Sequence, residues 1–270
     1  MPMVLSSPNE LADALVAAGI CGLHQSHSRH NNISNLRACV EGDPDKSFGL
    51  TGLTLHSPQE ALDALSELTG CSNDLADISG HDTMDPIKTV AGVVAAARVL
   101  AGHARRGSTL LACTGHPTGM IELYMRIADA YVGAGGKVIR PREEERLHGI
   151  RKGYAEVRYI GNVGLLADWG QLMHTHGPEA MEALLEADPL PDVVLGDHGF
   201  AGAAIERGIP TVAIMDINDP ALAIAWLEGK DVSIVPLDDN RPPALYEPIE
   251  DLFTAIISGS ELPEGYENLL

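Results

Sequence analysis

The chain has 270 residues, of which 45% are hydrophobic and 4% aromatic, and it carries a formal net charge of −20. Such length and apolar content suit one large α/β core built from Ala, Val, Leu and Ile, and exclude a disordered chain. The acidic surface would repel a phosphate backbone, which excludes nucleic acid as a partner. An anionic substrate would then need a local positive site made of helix N-termini, a few basic side chains or a bound cation.

The first predicted helix opens at Ser7-Pro8-Asn9-Glu10, and a later one opens at Ser57-Pro58-Gln59-Glu60. Each start offers Ser as N-cap, Pro at the first helical position and Glu three residues after the Ser, which is a capping box. The echo reads as two amphipathic helices that begin alike, or as a duplication. No basic segment followed by an apolar run marks a leader, and no stretch approaches the roughly 20 apolar residues that span a bilayer. The four cysteines, Cys21, Cys39, Cys71 and Cys113, form no C-x-x-C pair. A cytoplasmic chain with reduced thiols is expected, without a structural zinc of the usual spacing and without membrane attachment.

Between these helices lies His24-Gln25-Ser26-His27-Ser28-Arg29-His30-Asn31-Asn32. His24, His27 and His30 have the spacing of one helix face and so could form a zinc site. Ser, Asn and Gln disfavour a stable helix there, and with Arg29 beside them the run reads as an anion-binding loop or as an exposed polar loop. A helix is expected at 33–40 and a turn at Gly42-Asp43-Pro44-Asp45. A long Ala/Val helix is expected at 87–104, stopped by Gly107, with Lys88 in its first turn where it can meet a phosphate.

From Ser108 the pattern becomes a regular alternation of strands and helices. Apolar strands are predicted at 109–113, 137–140, 192–195, 211–215 and 232–235, with strand material over 156–166. Helices are predicted after Thr118 and over 178–187, 201–207, 221–227 and 246–257. The charged stretch 143–152 reads as an exposed loop or short helix. Continuous apolar strands between helices mean an open, mostly parallel, Rossmann-like sheet with helices on both faces. Residues 1–107 are expected to form a helix-rich region packed on this core, and 108–270 the core itself, the two making one continuous domain.

Ligands of such sheets bind outside the carboxyl ends of the strands. Thr114-Gly115-His116-Pro117-Thr118-Gly119 follows the first strand. Thr114, Gly115, Thr118 and Gly119 read as an anion cradle at a helix N-terminus, and His116 as an acid or base. The loop lacks the Gly-Lys-Ser/Thr ending of a Walker motif, the G-x-G-x-x-G fingerprint and the arginine of a cysteine-phosphatase loop. Gly196-Asp197-His198-Gly199 follows another strand. There Asp197 can hold a metal or orient a nucleophile, and His198 can protonate a leaving group. The plainer alternative makes Asp197 a helix cap. At Asp216-Ile217-Asn218-Asp219, Asp216 and Asn218 offer oxygens to a hard cation such as magnesium, or Asn218 or Asp219 caps the next helix. Asp238-Asp239-Asn240 reads as a weaker candidate at the sheet edge.

On 113–119, 196–199 and 216–219, the chain resembles a family of actinobacterial phosphatases, over nearly its whole length. The resemblance implies hydrolysis of a small phosphomonoester. D-x-D-x-T, R-H-G and C-x5-R, the signatures of better-known phosphatases, do not occur in the sequence. The Thr114-Gly115 turn and the Gly136-Lys137-Val138 strand are also similar to the carboxy-terminal domain of D-glutamate cyclases, which implies a lyase acting on an amino-acid carboxylate. A non-catalytic protein that binds a phosphorylated metabolite in the same crevice is the third reading, and a homo-oligomer is compatible with all three.

Overall fold

Short apolar runs that are buried on both faces and separated by helices leave a chain little choice but a covered parallel sheet. The computed structural model describes residues 6–150 and 154–269. Its main sheet contains β3 (Thr109–Cys113), β4 (Lys137–Val138), β5 (Glu156–Ile160), β6 (Val163–Asp168), β7 (Gln171–Leu172), β8 (Val193–Asp197), β9 (Thr211–Met215) and β10 (Val232–Pro236). A separate two-stranded ribbon joins β1 (Gly22–Leu23) to β2 (Thr83–Met84).

The main strand order is β10-β9-β8-β3-β6-β5, with β4 beside the start of β3 and β7 beside β6. Strands β10, β9, β8, β3 and β6 run parallel, whereas β5 and β7 pair antiparallel with β6. The stretch expected as one strand at 156–166 is therefore a hairpin, turning at Gly161 with φ 59°. After β3 the chain first builds β4 to one side and later β8 to the other. A crevice opens at such a switch point, outside the strands' carboxyl ends.

The helices are α1 (Pro8–Ala18), α2 (Arg29–Val40), α3 (Pro44–Ser47), α4 (Pro58–Thr69), α5 (Pro86–Arg105), α6 (Ile121–Gly133), α7 (Glu179–Leu184), α8 (His198–Glu206), α9 (Pro220–Leu227) and α10 (Glu247–Ile257). Both capping boxes form, Ser7 with Glu10 and Ser57 with Glu60. Helices α5, α6 and α10 pack together on one face. On the other, α8 lies on β8 and β9 with α7 against it, while α9 packs on β10 under α2 and α4. Side chains alternate accordingly: Leu110 and Ala112 join the larger cluster, Leu111 and Cys113 the smaller one with Phe200. The larger cluster runs from Leu11 on α1 to Tyr266, so the N-terminal helices share one core with the sheet.

One further detail departs from the sequence expectation. By length and composition alone, α5 is apolar enough to cross a membrane. It instead lies on β10, where Gly92 permits the approach, because a Cβ there would stand 2.8 Å from the Ile234 carbonyl oxygen. The charged stretch 143–152 is, as expected, a mostly exposed loop up to Ile150, with Arg146 bridging to Glu156; its residues 151 and 152 lie outside the described residues.

Gly202 on α8 sets another close contact, since an added Cβ would sit 2.1 Å from the backbone oxygen of Phe48. Gly202→Ala is expected to cost about 1–3 kcal/mol by overpacking, read as a fall of several degrees in Tm. Gly133→Ala is the control, because a Cβ there meets nothing within 4 Å. Equal melting of the two variants would contradict this packing.

Candidate active site

The end of β8 delivers Asp197 and His198 into the crevice. Asp197 makes no capping bond to α8. Its carboxylate turns back to the β3 loop, where Oδ1 accepts the Gly115 N–H at 2.7 Å and Oδ2 accepts the hydroxyls of Thr114 and Tyr124. Burial would raise its pKa, but His198, His116 and Thr114 outweigh that and hold it down at about 2. His198 follows in left-handed backbone, φ 41°, a conformation that costs a non-glycine residue roughly 1–3 kcal/mol. Its Nδ1 lies 3.4 Å from Asp197 Oδ1, and its Nε2 lies 3.2 Å from Asp219 Oδ2 and 3.8 Å from Asp239 Oδ2. Phe48 stands edge-on to the ring, centroids 5.0 Å apart, and fixes its plane.

The ends of β9 and β10 bring four further carboxylates. Asp219 makes no side-chain cap to α9, and its Oδ2 accepts the Asp216 N–H at 3.0 Å. Asp238 and Asp239 are each 1% exposed, against the weaker role that an edge position suggested. Although β10 is the edge strand, it pairs in register with β9, Pro236 opposite Met215, so the residues after it emerge beside Asp216 and Asp219.

A cluster of imidazoles closes the crevice. His116 comes from the β3 loop. His174 and His176, which the sequence reading passed over, come from the segment after β7. His176 stacks on His198 at 4.3 Å and 5°, His116 lies 4.5 Å from His198, and His174 lies 4.3 Å from His116. Burial, reinforced by the charge on His198, holds His116 down to about 3 and His176 to about 4. His198 goes the other way despite its burial, raised by Asp219 and Asp197. The alternation His174-Thr175-His176 was the available signal for these residues, and the hairpin before it hid where they would land.

Three sets of donor atoms lie close enough to hold a metal ion, each within 4.8 Å: His116, His176 and His198; His198, Asp219 and Asp239; and His24, Asp216 and Asp238. Asp216 Oδ2, Asn218 Oδ1, Asp239 Oδ2 and His116 Nδ1 are buried with no hydrogen-bond partner. A buried, unpaired polar atom costs roughly 1–3 kcal/mol, and that cost disappears when the atom binds a cation. The residues therefore fit a metal. Nitrogen donors beside carboxylates favour a first-row transition ion over magnesium, which prefers an all-oxygen shell.

The comparisons with known proteins decide the chemistry. The sequence model of a family described as Phosphatase matches residues 6–258. The chain belongs to this phosphatase family. Among its relatives is Phosphatase SCO2771 of Streptomyces coelicolor, 35% identical over 247 residues, which cover 89% of this chain and 92% of that protein. The chain is thus a phosphate-removing hydrolase.

In this phosphatase the residues expected to bind the anion are otherwise engaged. Arg29 lies in a buried pair with Asp82 and donates to the carbonyls of Asp74 and Asp77. Lys88 donates to the Glu67 carbonyl. In the β3 loop, the Gly115 amide goes to Asp197, that of His116 to the Thr114 hydroxyl, and those of Gly119 and Met120 to the His116 carbonyl. Thr118 is exposed, and α6 starts only at Ile121. Gly115 and Gly119 let backbone approach backbone: a Cβ would sit 2.1 Å from Thr175 O and 2.9 Å from Asp239 O respectively. Both Asp197 oxygens accept protein donors, and Oδ1 also lies 3.4 Å from His198 Nδ1. Asp216 and Asn218 keep free oxygens.

Two openings reach the phosphatase cluster. A cavity of about 420 Å³ is lined by Asp45, Lys46, His174, Thr175, His176 and Gly177. A smaller one of about 190 Å³ reaches His116 and Asp239 past Thr118, Gly119 and Arg241. Lys46 and Arg241 are therefore the cations placed at its entrances.

Proposed function

We propose that this phosphatase hydrolyses a small phosphomonoester at the carboxyl ends of β3, β8, β9 and β10, assisted by a divalent transition metal held by His198, Asp219 and Asp239 with His116 and His176 alongside. One observation carries the reading. Asp239 Oδ2, buried and without a donor, lies 3.8 Å from both His198 Nε2 and His116 Nδ1, and that Nδ1 is itself unpartnered. The arrangement suits an ion between them better than it suits direct hydrogen bonds.

A metal there supplies neutralisation of the phosphoryl oxygens and acidifies water. The chain's own residues do the rest. Lys46, beside His174 and His176, attracts the phosphate dianion into a protein that is otherwise strongly acidic. Asp197 fixes the orientation of His198, and Phe48 keeps water from its far side. When attack by water breaks the bond between phosphorus and the ester oxygen, the leaving oxygen needs a proton. His174 is exposed and its Nε2 lies 2.9 Å from that of His176, so it can pass on a proton taken from solvent; burial and the charge on His198 hold its pKa below the ordinary imidazole value, so this role is strongest on the acid side of neutrality.

Turnover of p-nitrophenyl phosphate after exhaustive chelation tests this. Activity is expected to fall at least about tenfold, equivalent to roughly 1.4 kcal/mol in the barrier, and to return with Mn2+, Co2+ or Zn2+ more fully than with Mg2+. Full activity in metal-free protein would overturn the metal role.

A further inference from the structure

We infer that the crevice holds a second divalent transition metal, between His24, His27, Asp216 and Asp238, on the side of the site furnished by the N-terminal segment; the inference rests on the metal-assisted reading above. His24 Nε2 lies 2.7 Å from Asp216 Oδ1 and 3.7 Å from Asp238 Oδ2, and His27 Nε2 lies 3.7 Å from Asp216 Oδ2. The side chains of His24, Asp216 and Asp238 are each exposed by 1% or less. Asp216 Oδ2 is buried with no hydrogen-bond partner, and it points toward His27.

The donors are also oriented as metal ligands are. His24 Nδ1 lies 3.2 Å from the His27 carbonyl oxygen. The His27 amide donates to the same Nδ1 at 3.1 Å, so the His27 backbone fixes the ring with Nε2 facing Asp216 and Asp238, where a cation would take the place of the Nε2 proton. Asp238 is held by the Ser26 hydroxyl at 2.6 Å and by the Ser26 amide at 3.2 Å. The two strand ends divide their carboxylates evenly. Asp216 and Asp238 face His24, whereas Asp219 and Asp239 face His198.

Charge argues the same way. Asp197, Asp216, Asp219, Asp238 and Asp239 are all buried, and among the described residues their ion pairs come from histidines alone. Buried carboxylates in that number need cations to offset their desolvation. A pair of metals serves both the entering and the leaving oxygen of an in-line phosphoryl displacement.

The experiment strips the full chain with a chelator and titrates it with Co2+, reading visible absorbance and metal content per chain. Wild type is expected to bind about two equivalents, as two-metal phosphatases do. His24→Gln, Asp238→Asn and, independently, Asp239→Asn should each bind one. If His24→Gln does not fold, His27→Gln takes its place, its side chain being 28% exposed; one equivalent should then bind at least about tenfold more weakly, the lower bound for a lost metal contact. Two equivalents retained at unchanged affinity in these His24, His27 and Asp238 variants would overturn the second site. So would a single equivalent in wild type that only Asp239→Asn removes, and that result would leave the first reading standing. No binding by wild type would overturn both.

Discussion

Asp239→Asn is expected to lower kcat/KM for an aryl phosphate about 1,000-fold, roughly 4 kcal/mol, while leaving the melting temperature of the metal-free protein unchanged or higher. The substitution preserves shape, and the Asn240 amide that donates to Asp239 Oδ1 at 2.8 Å keeps its acceptor. What it removes is a negative charge. Burial, with Asp216, Asp219 and Asp197 nearby, pushes the Asp239 carboxyl well above its usual range, and His198 offsets that only in part. The folded state is therefore strained by this carboxylate until a cation binds it. A residue that weakens the fold while serving the reaction is what a functional site commonly contains. Thermal unfolding in chelator and steady-state kinetics on the same preparation check both halves. A variant that keeps near-normal turnover, or that melts far lower without metal, would contradict the role assigned to Asp239.

Asp197→Asn is the second large effect, and it has a different signature. Asp197 holds the β3 loop to β8 through Gly115, Thr114 and Tyr124 and sits beside His198 Nδ1. An amide cannot accept from all of these donors, and it withdraws the charge that supports the His198 imidazole. A buried donor left without its acceptor costs about 1–3 kcal/mol, so Tm falls by several degrees. Losing the group that orients a metal-ligating histidine typically weakens metal affinity by about 10–100-fold, and activity at limiting metal should fall in step. Raising the metal concentration should then restore much of the activity in Asp197→Asn but little in Asp239→Asn. Equal behaviour of the two variants under excess metal would contradict the distinction between a residue that orients and one that ligates.

The contrast also shows what was readable from the chain alone. The strand ends were, because a polar cluster such as Gly196-Asp197-His198-Gly199 directly after a buried apolar strand has few structural reasons to exist. The parallel sheet and both capping boxes followed from local pattern. Which oxygen faces which nitrogen did not follow. Asp197 reads as a metal ligand, an orienting group or a helix cap until its carboxylate is seen to turn back to the β3 loop. Arg29 looks like a free cation until Asp82, far along the chain, pairs with it. Asp239 looks peripheral until the β10 register places it beside Asp219. His174 and His176 arrive through an antiparallel hairpin that interrupts the regular alternation, and local pattern carries no information on where that hairpin folds.

The central claim is that a metal sits among His198, Asp219 and Asp239. Crystals of the full chain soaked with Mn2+ and inorganic phosphate, with data collected to record manganese anomalous scattering, test it most directly. An anomalous peak is expected bonded to His198 Nε2 and to carboxylate oxygens of Asp219 and Asp239, with the phosphate beside it toward Lys46. A fully active protein whose phosphate lies in this crevice with no anomalous peak at those atoms would contradict it.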